Sequence, residues 1–282
     1  MSKLKRVVII GGVAGGMSAA TRLRRLSNDL EIIVLERSNY VSYANCGLPY
    51  YVGGVIEKES ALLLQTPESL HSRFRLDVRV ANEVISINPK SKSLQVKDLA
   101  KNTAYDLTYD KLVLSPGATP IVPPLPGVER AMTLRTVEDV EAIVSKVSAK
   151  PSTAVVIGGG FIGVEIAENL IHKGIKTSIV EASDQVLAPL DPEMATLVAK
   201  EMRSKGVDLY LGVSASEINS ASVILNSGEE IPADLVIMAI GVRPDVSLAK
   251  SASLKVGSRG GIVVNDFNQT SEADIYAVGD AA

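Results

Sequence analysis

The sequence predicts an α/β protein of two similar domains, each built on a buried parallel sheet. Three observations lead there. An apolar strand, a glycine-rich turn, a helix and a second apolar strand ending in Glu occur in that order twice. Residues 110–120 and 234–244 then repeat an acid, an apolar run, a glycine and a proline at the same spacing. At 282 residues, 46% of them hydrophobic, the chain is long enough to bury two cores.

The first copy runs from Val7, Val8, Ile9 and Ile10 through Gly11, Gly12, Val13, Ala14, Gly15 and Gly16 into a helix from Met17, then a strand over 32–35 ending at Glu36. The second runs from Val155, Val156 and Ile157 through Gly158, Gly159, Gly160, Phe161, Ile162 and Gly163 into an apolar helix reaching Leu170, then a strand ending at Glu181. One glycine of such a turn permits the tight bend, one lets a pyrophosphate approach the backbone, and one lets helix and strand pack closely. The helix N-terminus offers free N–H groups and its dipole to phosphate. Glu36 and Glu181 lie about 20 residues beyond their turns, where a carboxylate can accept ribose hydroxyls. The pattern predicts two Rossmann-like dinucleotide-binding domains, the first less regular because Val13 stands where the approach glycine is expected.

Each turn unit is followed by alternating strands, around 76–80 and 84–87 in the first copy and 207–211 and 223–225 in the second, and then by a returning buried strand. The proline-rich stretch 120–127 reads as a linker. A strand is expected over 261–264, and the strand leading to Gly279 and Asp280 is expected to return to the first domain. The second domain is then an insertion, with boundaries at 1–120, 121–246 and 247–282.

Composition narrows the function classes. A net charge of −3 gives no reason to expect nucleic acid. Lys3, Lys5 and Arg6 precede an apolar run that Gly11 interrupts, too short for a signal peptide or a membrane span, so a cytoplasmic location is the default. The single cysteine, Cys46, excludes an internal disulfide and fits a reducing compartment. No metal site is expected. A lone cysteine is commonly a small core residue. Here Asn45 and Gly47 are poor core neighbours, and Leu48, Pro49 and Tyr50 can start a helix whose N-terminus favours a thiolate.

The two dinucleotide folds, Ser115-Pro116-Gly117, Ile240-Gly241 and the terminal Tyr276-Ala277-Val278-Gly279-Asp280 together resemble the FAD- and NAD(P)H-dependent pyridine nucleotide-disulfide oxidoreductases. Residues 42–50, around Cys46, narrow the resemblance to the single-cysteine branch. That branch includes coenzyme A-disulfide reductases, NADH-dependent persulfide reductases, and NADH oxidases and peroxidases. The resemblance implies that the first fold binds FAD at the 11–16 turn and Glu36, with Arg37, Asn45, Val80, Ser115, Gly117 and Gly279 as further cofactor contacts and Asp280 on the ribityl chain. It implies that the second fold binds the nicotinamide nucleotide at Gly158, Gly160, Ile162, Gly163, Glu181 and Gly241, with Phe161 as a lid over the flavin and Glu165 near the flavin edge. Cys46 is implied as the redox thiol, attacking a disulfide or persulfide sulfur.

Within the branch, oxidases and peroxidases usually carry a histidine in the first glycine loop, where this chain has Ala14, and His71 and His172 lie in no motif. A sulfur substrate is therefore favoured over peroxide or dioxygen. Arg22 and Arg25 share a helix face. In the coenzyme A-disulfide reductases that face borders the coenzyme A site together with Ser18, Ser42 and Asn45; Arg73 is a further candidate, and Arg24 is expected on the solvated face. No arginine follows Glu181 to meet a 2′-phosphate, which favours NADH over NADPH. The expected activity is electron transfer from NADH through FAD to a coenzyme A disulfide or persulfide held at Cys46. The alternatives are an NADH oxidase or peroxidase cycling a Cys46 sulfenic acid, a flavin-linked reductase of a protein partner, and a non-catalytic redox-sensing flavoprotein. The family continues past the Gly-Asp motif into a helix that completes the FAD domain and into a dimerisation domain. By that resemblance these 282 residues are expected to be a fragment with weak FAD retention, and the full-length protein a homodimer.

Overall fold

A computed structural model describes residues 5–282, so Lys3 lies outside the described residues. The chain divides into two compact units. The first comprises the chain up to Tyr43 together with Leu63–Thr119 and Arg243–Ala282; the second comprises Ala44–Leu62 and Pro120–Val242. Residues 44–62, placed by sequence within the first domain, thus cluster with the second unit: the helix Leu48–Val52 packs on the helices Val137–Ser148 and Phe161–His172.

The first unit holds a five-stranded parallel sheet in the order Ile275–Ala277, Lys111–Leu114, Lys5–Ile10, Leu30–Leu35, Asp77–Arg79. Its register pairs Ile9 with both Val34 and Val113, and Tyr276 with Val113. Both faces of these strands are covered, which is why they read as unbroken apolar runs. The helix begins at Ala14, three residues ahead of Met17, and ends at Leu26. A three-stranded antiparallel sheet over Asn82–Asn88, Ser93–Asp98 and Thr103–Thr108 contributes Val84, Leu94 and Val96 to the same core. Asp274, just ahead of the returning strand, is bridged to Lys111 at 2.7 Å and to Lys92. Hydrogen bonds from those two ammonium groups hold its carboxyl down to about 2.

The second unit repeats the plan with the parallel order Asp208–Leu211, Lys176–Glu181, Thr153–Ile157, Leu235–Met238, Ala131–Met132. Its small antiparallel sheet runs Ala215–Ile218, Ser222–Leu225, Glu230–Pro232. The repeated acid ahead of each returning strand has a task in both units. Asp110 accepts the Arg6 N–H at 2.7 Å, and Asp234 accepts those of Ser152 at 2.9 Å and Thr153 at 3.0 Å. Each ties the start of its returning strand to the start of the glycine-turn strand.

The strand expected over 261–264 does not form. Gly260, at φ +89°, reverses the chain onto residues 255–257, leaving one isolated bridge between Val256 and Ile262. Ile262 donates its N–H to the Ala281 carbonyl, so the segment is too sharply turned for a ladder. Among the described residues, no helix is long and apolar enough to cross a membrane, and no group of three or more His, Cys, Asp and Glu could hold a metal ion.

Candidate functional site

Both glycine turns sit at the C-terminal end of the central strand of their sheet, where the strand order reverses. Gly11 and Gly158 open them at φ +99° and +111°, donating their N–H groups to Leu35 O and Val180 O at 2.9 and 2.8 Å. Gly16 and Gly163 close them against the strand: a Cβ at either would lie 1.9 Å from the carbonyl oxygen of Gly11 or Gly158. Only glycine fits there.

The glutamates have a task that the sequence did not suggest. Glu36, 8% exposed, accepts the Gly12 N–H at 2.8 Å and the Ser38 N–H at 2.9 Å. Glu181 accepts the Gly159 N–H at 2.6 Å and the Ser183 N–H at 2.8 Å. Each carboxylate clasps its own glycine turn and keeps lone pairs for a further donor such as a ribose hydroxyl. Burial works against the Glu181 charge, but the N–H groups of Ser183 and Gly159 outweigh it and hold the carboxyl below the usual range.

The helix caps are open to an anion. Val13 caps Ala14–Leu26 and Gly160 caps Phe161–His172; neither helix has a side-chain cap or an acid in its first turn, so the N–H groups there are left for a ligand. A Cβ at Gly160 would meet nothing within 4 Å, which leaves room for a pyrophosphate. A Cβ at Gly15 would come 2.7 Å from Ser115 Oγ and 3.5 Å from the Gly279 Cα, so Ser115 and Gly279 wall the first turn. Both turns fit a dinucleotide. Gly117 and Gly241 adopt positive φ just beyond the returning strands, and Asp280 is exposed in the turn Gly279–Ala281. Val80 is half-buried, following the strand whose Arg79 carbonyl accepts the Glu36 N–H, while Arg37 is exposed.

Phe161 is 59% exposed and Ile162 half-buried at the start of the second helix. Glu165, one turn on, is half-buried; burial first, and then the Glu168 charge, raise its carboxyl. Cys46 is exposed in a single 3-10 turn, Asn45–Gly47, that runs directly into Leu48–Val52 with Pro49 in its first turn. Asn45 beside it is also exposed. The expected helix after the cysteine is therefore present, though only five residues long.

Ser18, Arg22 and Arg25 are exposed on the first helix, and neither arginine has an ion-pair partner among the described residues. Ser42, at φ +49°, donates its N–H to Gly12 O at 2.9 Å, which joins its loop to the first turn. Arg73 is exposed and lies over the Phe74 ring at 5.1 Å. Arg24 corrects the sequence expectation of a solvated side chain. It is 9% exposed, and its guanidinium donates to five carbonyls, those of Phe74, Ser27, Asn28, Leu30 and Arg75. Burial, with the nearby Arg75 charge, lowers its pKa. The signal was available: Arg24 continues the buried series Met17, Ala20 at helical spacing.

These turns, with a cysteine loop after the first of them, define a class, and residues 5–282 match the family model described as pyridine nucleotide-disulphide oxidoreductase. The chain belongs to that family. It is 33% identical over 280 residues to the coenzyme A disulfide reductase of Staphylococcus aureus (strain JH9), covering 99% of this chain and 64% of the relative. The structure of reduced Bacillus anthracis CoADR-RHD superposes with a TM-score of 0.97 at 50% identity, covering 98% of this chain and 51% of that one. An NAD-dependent persulfide reductase from A. fulgidus superposes with a TM-score of 0.94 at 36% identity, covering 98% and 53%. The chain thus spans less than two thirds of the length of each of these relatives.

Proposed function

We propose that the chain is the nucleotide-binding part of an NADH-dependent flavoprotein that reduces coenzyme A disulfide or coenzyme A persulfide at Cys46. The observation that carries this is the pairing of two carboxylate-clasped glycine turns with one exposed thiol in a 278-residue family match. The turn at 11–16, with Glu36, Ser115 and Gly279 around it, holds FAD; the turn at 158–163, with Glu181, holds the nicotinamide nucleotide. When bound, FAD supplies two-electron chemistry, drawing hydride equivalents from NADH for delivery to sulfur.

The chain's own part is at Cys46. Its thiolate attacks one sulfur of a disulfide, forming a new S–S bond while the other half leaves as a thiolate and takes up a proton. With a persulfide the outer sulfur moves to Cys46 and the coenzyme A thiol leaves. Two electrons and a proton then restore the Cys46 thiolate and release the retained thiol or hydrosulfide. Arg22 and Arg25, exposed and unpaired, are suited to the phosphates of coenzyme A. Ala14 in place of a histidine supports sulfur over oxygen as the acceptor. The Glu181 charge, with no arginine in the segment after it, supports NADH over NADPH. The whole protein is proposed to be cytoplasmic and homodimeric.

NADH consumption by the whole protein, measured side by side with coenzyme A disulfide, coenzyme A persulfide, hydrogen peroxide and air, tests the reading. Turnover is expected with one or both sulfur substrates and only background with the oxygen acceptors. Peroxide or air consumed as fast as either sulfur substrate would move the chain to the oxidase and peroxidase side of the branch.

A further inference from the structure

We infer that the contact between Gly53 and Asn169 positions Cys46 and ties it to the helix that opens at the second glycine turn; this rests on the reading of Cys46 as the reactive thiol. Cys46 lies in the turn Asn45–Gly47, which continues without a break into Leu48–Val52, so where that short helix sits decides where the thiol sits. Leu48, Pro49 and Val52 bury its apolar side, and Gly53 ends it, donating its N–H to Pro49 O at 3.1 Å.

The Gly53 Cα is pressed against a side chain of the neighbouring helix Phe161–His172. A Cβ on Gly53 would lie 1.9 Å from Asn169 Oδ1, 2.7 Å from its Cγ and 2.9 Å from its Cβ. Asn169 cannot swing aside: it is 1% exposed, and its Nδ2 donates to the Glu165 carbonyl at 2.8 Å. An amide at a fully buried position of an otherwise apolar helix face is costly unless its polar atoms are engaged. Here one end holds the helix's own backbone beside Glu165, and the other rests on the Gly53 Cα, a weak C–H···O contact in kind. A cavity of about 650 Å³ opens beside Tyr51, Val52 and Gly54, against Val144 and Val147 of the helix Val137–Ser148. The Gly53–Asn169 contact is thus a fixed point of a segment that borders this cavity. Asn169 is a positioning residue, and a displacement of the helix that starts at Phe161 reaches the Cys46 turn through it.

Because Cys46 is the sole cysteine, its alkylation by iodoacetamide reads one thiol in the whole protein. Gly53→Ala and Asn169→Ala should each change that rate about tenfold in folded protein, because the access and surroundings of the thiol change with the turn that carries it. The double variant Gly53→Ala with Asn169→Gly, in which the new methyl group takes up part of the space that the Asn169 side chain leaves, should return the rate to within about twofold of the parent. A merely structural contact would lower the melting midpoint and leave the rate of the folded thiol unchanged. Parental alkylation rates in folded Gly53→Ala and Asn169→Ala would overturn the inference. If Gly53→Ala does not fold, Asn169→Ala, which only removes atoms, decides alone. Alkylation is measurable whether or not Cys46 takes part in turnover, so failure here is distinct from failure of the functional proposal.

Discussion

The two glycine turns share their closing hydrogen bonds but differ in their surroundings. At the first, Glu36 is 8% exposed, the valine side chain of Val13 stands at the helix cap, and Ser115 and Gly279 close in on Gly15. At the second, Glu181 is only half-buried, Gly160 caps the helix with open space around it, and Phe161 beside it is 59% exposed. An enclosed turn suits a group that stays bound, because release needs the walls to open; an open turn suits one that must exchange in every cycle. The difference supports a resident flavin in the first unit and an exchanging nicotinamide nucleotide in the second.

The sharpest test of that division leaves both turns intact. In the whole protein, Cys46→Ser should retain binding of FAD and NADH while turnover with sulfur substrates falls by at least about a hundredfold, because the hydroxyl cannot form the S–S intermediate. Turnover within a few-fold of the parent would remove Cys46 from the chemistry.

Next in size are changes inside the open turn. Gly163→Ala should destabilise its unit by about 1–3 kcal/mol, since the methyl meets the Gly158 carbonyl at 1.9 Å. Gly160→Ala, at φ −75° with space around it, should stay within about 0.5 kcal/mol of the parent and lose nucleotide affinity instead. Urea unfolding and NADH titration of both variants separate the two glycine roles. Equal stability losses would mean that Gly160 is structural, and unchanged NADH affinity in Gly160→Ala would mean that the space beside it holds no ligand.

On the first helix, Arg24→Ala should cost roughly 2–3 kcal/mol of stability through the carbonyls it leaves unpaired. Arg22→Ala and Arg25→Ala should leave stability within about 0.5 kcal/mol and raise the KM for coenzyme A substrates more than for small disulfides. Equal KM changes for both substrate kinds would return these two arginines to the solvated surface.

The smallest effect is one of pH. The Glu181 carboxyl is held below its ordinary value in the fold, so its contribution is present above the unfolded value and is lost as pH falls through the depressed one. The urea midpoint of the parent should therefore drop more steeply on acidification than that of Glu181→Gln. Parallel profiles would show that the clasp on Gly159 does not depend on the charge.

Both turns and the returning strands were legible in the sequence, because each depends on local chemistry: a positive φ, a close approach, a covered strand. The twin acids Asp110 and Asp234 were visible as a repeat, but their use on the N–H groups of Arg6 and Ser152 required the pairing of strands about a hundred positions apart. Arg24 was misread because residue type outweighed helical position. The strand Ala131–Met132 is too short to show any period, and the placement of residues 44–62 follows from contacts such as Gly53 on Asn169, which no local pattern encodes.

The partner of the strand Lys111–Leu114 arrives late. Its edge is covered by Ile275–Ala277, and the ion pair that fastens it joins Lys111 to Asp274, 163 positions on. As the polypeptide leaves the ribosome, the second parallel sheet is supplied in one continuous stretch, from Ala131–Met132 to Leu235–Met238. Throughout that interval Leu112, Val113 and Leu114 offer a bare row of N–H and C=O groups to any other nascent chain. A product stalled anywhere between Leu114 and Ile275 should carry that open edge, whether or not its second sheet is finished.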